Sequence, residues 1–137
     1  MKFSITKASD EFKASRNLNA DKCNILAVED EYAGYVAWDV FDNVYVIRSF
    51  ECNQEDPRFL DALMRAVAFE GSKKNIRYVF CLPTDNDAKK RLLKSIFAES
   101  DESVSNMLVR LGIKTNTIYV DVVKCFSEHV CGSDHAE

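Results

Sequence analysis

The stretch CNQEDPRFLDALMRAV, residues 52–67, combines the features of an anion site with features that oppose one. Asp56 suits the N-cap of a helix, Pro57 its first position, and Leu60, Leu63, Met64 and Val67 recur at helical spacing. The preceding NVYVIRSFEC reads as a strand. A strand running straight into a helix N-terminus is a common phosphate site, because the first backbone N–H groups have no partner inside the helix. Here Glu55 and Asp56 bring negative charge to those amides, and Pro57 has no N–H to offer. Only Arg58 could pair with a phosphate. The pattern reads as a phosphate site that has been closed, and an acid-capped helix is its simpler description.

A second cluster lies in CFSEHVCGSDH, where Cys125, His129, Cys131 and His135 are four ligand-type side chains. Their interleaved order differs from the paired spacing of structural zinc sites, so we expect no metal there and a flexible tail over residues 127–137. Five cysteines, an odd number without secretory context, point to reduced thiols. There is no Gly-x-Ser-x-Gly, no Walker-type loop and no His-Glu-x-x-His, and both histidines stand in the tail. Hydrolase, nucleoside-triphosphatase and metalloprotease chemistry are disfavoured.

The elements that must position these residues follow from the rest of the chain. At 137 residues, 47% of them hydrophobic, residues 1–126 suffice for one compact domain with a real core. The net charge of -4 provides no positive field for nucleic acid or an anionic membrane, and we expect neither as a partner. Lys89, Lys90, Arg91 and Lys94 read as the solvated face of an amphipathic helix. No apolar run has the length of a membrane span and no signal-peptide pattern opens the chain, so the expected location is the cytoplasm.

KFSITKA reads as a first strand and DEFKASRNL as a short helix. NILAVED, YAGYVAWDV and NVYVIRSFEC form an antiparallel meander with turns at Glu29–Glu31 and Asp42–Asn43. The helix from about Pro57 to Glu70 is expected to end at Gly71 in a left-handed cap. IRYVFCLP is a buried strand, helices follow at TDNDAKK and SDESVSNMLVRL, and NTIYVDVVKCF closes the sheet. This order predicts an α/β fold with a mixed central sheet of about six strands and flanking helices. Tyr35 and Trp38 have opposite parity and should face opposite sides of the sheet, one covered by the core and the other by a helix or a partner subunit.

In this order the chain resembles the GCN5-related N-acetyltransferase (GNAT) family. KFSITKASDEF is similar to the family opening, and ILAVEDEYAGYVAW to its second and third strands, with Gly34 at the hairpin glycine. FLDALMRAVAFEGSKKNIRYVFC resembles its third helix and fifth strand, and MLVRLGI its late-helix segment. The resemblance implies an acyl-CoA N-acyltransferase-like fold and acetyl-CoA-dependent transfer to a small amine. CoA would then lie along Cys52, Arg58, Phe59 and Leu60, with Glu51 as a weak candidate for a base acting through water, although Glu51 also reads as an exposed strand residue.

Three departures from the family pattern favour a rival reading. Arg58 and Leu60 stand where the family's phosphate loop has its glycines. The tyrosine that serves many members as general acid is replaced by Leu108, or by Leu93 if LLKSIF is the matching segment. The segment from Lys7 to Lys22 is shorter than the helices that normally wall the acceptor site. The rival is a non-catalytic GNAT-fold protein serving as a homodimerisation or protein-partner module.

Overall fold

The computed structural model describes residues 2–83, 85–112 and 117–126. The chain runs β1 (Phe3–Lys7), α1 (Asp10–Ser15), β2 (Lys22–Val28), β3 (Glu31–Phe41), β4 (Val44–Cys52), α2 (Pro57–Ser72), β5 (Tyr78–Cys81), α3 (Asn86–Leu93), β6 (Ala98–Glu99), α4 (Glu102–Arg110) and β7 (Ile118–Asp121). The described strands form one seven-stranded sheet in the order β1-β2-β3-β4-β5-β7-β6, against about six expected, the addition being the short β6. All neighbours are antiparallel except β4 and β5, so the sheet is mixed as the element order requires.

The hairpins have local causes. Glu29 and Asp30 both adopt positive φ, the geometry of the two-residue turn whose twist matches antiparallel strands, and Asp42 is left-handed at the next turn. The helices open on acceptor side chains: Ser9, Asp56, Asp85 and Asp101 each take a backbone N–H of the first turn. Two expectations fail at helix and strand ends. Gly71 lies inside α2, where a Cβ would meet the Ile76 side chain at 3.1 Å, and the left-handed residue after the helix is Asn75. Close packing, rather than a cap, therefore explains this glycine. The last strand stops at Asp121 and residues 122–126 turn helical. The Cys and His positions of 127–137 lie outside the described residues.

The largest core cluster joins α2 and α3 to one sheet face, through Leu63, Met64, Val67 and Leu92 against Trp38, Tyr45, Ile47 and Val79. On the other face α4 packs Val104 and Leu108 onto Val44, Val46 and Phe80. A smaller cluster beneath α1 holds Cys23, Ala37 and Tyr35. Tyr35 and Trp38 do face opposite sides, and α1 provides the second cover. Among the described residues no helix is long and apolar enough to cross a membrane.

Cys81 supports an alkaline-stability prediction. Burial pushes its thiol from the usual 9.0 up to about 12. Above pH 9 the unfolded chain releases this proton while the fold retains it, so stability is full below about pH 9 and is lost between 9 and 12. Cys81→Val should flatten that loss by about 1.4 kcal/mol per pH unit. Urea midpoints across this range, read by circular dichroism, test it, and identical slopes in both proteins would refute it.

Candidate functional site

β4 pairs with β5 only from Val44 to Ile47; from Arg48 to Cys52 it runs on beside β3 alone. Two bulges in this region decide which side chains meet. Ala37 pairs with Ser49 and Trp38 with Ile47, which leaves Arg48 as an extra residue in β4. Leu26 pairs with Gly34 and Ala27 with Tyr32, which leaves Ala33 extra in β3. Each extra residue reverses the inward and outward alternation beyond it. Phe50 and Cys52 therefore turn toward the main core, while Ser49 and Glu51 join Tyr32 and Tyr35 on the α1 face.

On that face one Glu51 carboxylate oxygen accepts the Tyr32 hydroxyl at 2.6 Å and pairs with Arg16 at 3.3 Å. The Arg16 guanidinium lies over three rings, with its carbon 5.1 Å from the centroid of Phe12, 4.7 Å from Tyr32 and 5.7 Å from Tyr35. The Tyr35 hydroxyl bonds Ser49. Burial raises the Tyr32 hydroxyl well above its ordinary value, and the bond to Glu51 adds to the shift. Tyr32 thus stays a neutral donor. Of this group the sequence singled out only Glu51 as a site candidate; the bulges bring Tyr32 and Tyr35 to it, and Arg16 reaches it from the end of α1.

The α2 N-terminus is laid out differently. Asp56 Oδ1 accepts the Arg58 N–H at 3.0 Å, and the Asp56 carbonyl accepts the Phe59 N–H at 3.2 Å. With Pro57 lacking an N–H, the first three helical positions offer no uncommitted amide. The Arg58 side chain folds back onto the same carboxylate, Nε and one terminal nitrogen reaching both Asp56 oxygens at 2.6–3.1 Å. That guanidinium, with the capped amide, holds the Asp56 carboxyl below its ordinary value.

Phe59 and Leu60 do not stand at this mouth. Both are buried in the main core, Phe59 edge-on to Phe3 with centroids 5.7 Å apart. The Asp56–Arg58 pair, and not Leu60, stands at the α2 N-terminus where the family resemblance would put the phosphates. Helix α3 and the turn after it reach across the approach: Arg91 of the helix donates to the Gln54 carbonyl at 3.3 Å, and Ser95 beyond it to Asp61 at 2.6 Å. Arg91 therefore leaves the expected solvated face, and Lys89 pairs with Glu99. Leu93, in the LLKSIF segment that follows β5, packs against the core. Leu108, the other candidate position, is fully buried on the sheet-facing side of α4. Neither supplies a hydroxyl.

No family model matches the chain, and no curated protein matches it. Solved structures do. Tetrahymena GCN5 aligns over 83% of this chain and 76% of its own, with a TM-score of 0.63 and 13% identity. A Bacillus subtilis acetyltransferase in complex with CoA aligns over 88% and 99%, with a TM-score of 0.60 and 13% identity. An acetyltransferase of the GNAT family from Staphylococcus aureus aligns over the same shares, with a TM-score of 0.59 and 10% identity. At such identities the likeness speaks for architecture, and chemistry has to be argued from the site. In architecture, this chain has the mixed-sheet fold of the GCN5-related N-acetyltransferases.

Proposed function

We propose that this chain is a GNAT-fold binding module that does not hold acyl-CoA by its diphosphate. The carrying observation is Asp56, whose carboxylate occupies both the Arg58 amide and the Arg58 guanidinium. A diphosphate at the α2 N-terminus would have to displace that carboxylate while facing its charge and that of Glu55, and no glycine there lets the backbone close on it. The residues present therefore do not fit the cofactor that the fold suggests.

Acyl transfer from acetyl-CoA to an amine is the second reading. What favours it is the stretch of β4 from Arg48 to Cys52, which runs on without β5 beside it. The Asp56→Ala variant separates the two. If the carboxylate is what closes the site, the variant frees an amide and a guanidinium and should bind CoA at least about tenfold more tightly than the parent. Equal affinity of the two proteins for CoA would show that Asp56 closes nothing.

A further inference from the structure

Arg16 is a cation held in a ready-made receptor. Three aromatic faces surround its guanidinium and a carboxylate lies at its end, the combination that recognises organic cations. Two of the rings and the carboxylate come from a different part of the chain than the cation, while the third ring, Phe12, stands on α1 beside Arg16. Tyr32, Tyr35 and Glu51 sit on paired strands of the sheet, whereas Arg16 caps α1, a helix with no fully buried residue. The Arg16 side chain remains 35% exposed, so it can leave by rotating about its own bonds while the strands stay in place. Beside Tyr32 an open cavity of about 460 Å³ is lined by Glu29, Glu31, Asn53 and Gln54, which extends negative charge away from Glu51.

We infer that Arg16 is an internal occupant of an arginine-binding site, and that the site accepts an arginine side chain of a partner peptide in its place. A guanidinium suits this site better than an ammonium, because the flat ion stacks on the rings while its edge meets Glu51. The acidic cavity then faces the flanking basic part of the peptide. As a tethered competitor, Arg16 lowers the affinity of the intact protein for any such ligand. This inference names the partner chemistry of the binding-module reading and rests on it, but its test reads the α1 face and is blind to CoA.

The test begins with the intact protein. The Nε–H resonance of Arg16 is followed by NMR during titration with methylguanidinium, and separately with sodium chloride at equal ionic strength. Saturable displacement of the resonance by methylguanidinium alone is expected; the same response to both salts would overturn the inference. Arg16→Ala should then bind methylguanidinium and the tripeptide Gly-Arg-Gly about tenfold more tightly than the parent, and Glu51→Gln in that background should reverse the gain. Arg16→Gln serves as a second variant should alanine loosen α1. A folded variant with no gain would equally refute the site. If the arginine site fails while CoA is still not bound, the closed cofactor site stands and only the partner chemistry is wrong.

Discussion

Gly34→Ala is expected to lower the stability of the fold by about 3 kcal/mol, because the added methyl has nowhere to go. A Cβ on Gly34 would sit 2.2 Å from the Glu51 carbonyl oxygen and 3.0 Å from the Cys52 Cα, both backbone atoms of the paired strand. Relief requires β4 to move away from β3, which breaks the ladder where Gly34 faces Cys52 and carries Glu51 off Tyr32. Gly71→Ala is the control. There the contact at 3.1 Å is with the Ile76 side chain, and alanine gains helix propensity, so the net cost should stay under about 1 kcal/mol. Urea unfolding followed by circular dichroism compares the two. Equal losses would mean that the close approach of β3 to β4 is not what requires glycine.

Trp38→Ala should cost about 4 kcal/mol, in the range for removing a large buried aromatic side chain. Trp38 is fully buried, lies 5.8 Å from the Tyr45 ring, and belongs to the cluster that joins α2 to the sheet. Its indole N–H has no hydrogen-bond partner among the described residues. Trp38→Phe removes that unsatisfied donor together with part of the ring, and the two effects oppose each other. The phenylalanine variant should therefore retain most of the stability, losing about 1–2 kcal/mol. Because Trp38 is the chain's single tryptophan, far-ultraviolet circular dichroism is the readout. A loss below about 1.5 kcal/mol for the alanine variant would show that the core collapses around the cavity or is anchored elsewhere.

The fold was largely legible because its signals are local. Asp56 and Pro57 marked the start of α2, the apolar positions from Leu60 to Val67 its buried face, and the acidic turn at Glu29 the first hairpin. The site was less legible because it depends on register. In the sequence, Tyr32 and Tyr35 have opposite parity and should part; the extra residue Ala33 reunites them. Glu51 likewise reaches the α1 face only because Arg48 is inserted in β4. A bulge leaves no mark in composition or periodicity, so nothing in the chain announced that Arg16, a helix neighbour of Phe12, would also find two tyrosine rings and a carboxylate. Gly71 misled for a related reason: a glycine near a helix end suggests a cap, and only packing against Ile76 and Tyr45 reveals its actual use. Leu60 misled too, since the family resemblance placed it at the phosphate mouth while its side chain serves the core.

On the proposed reading, the α2 N-terminus is closed to a diphosphate by its own cap. Calorimetric titration of the purified protein with CoA, and separately with acetyl-CoA, tests it most directly. No saturable heat is expected up to millimolar ligand, since the amide and the guanidinium that could take a phosphate are both held by Asp56. Saturable binding of either ligand at micromolar affinity would contradict it and make acyl transfer to an amine the leading reading.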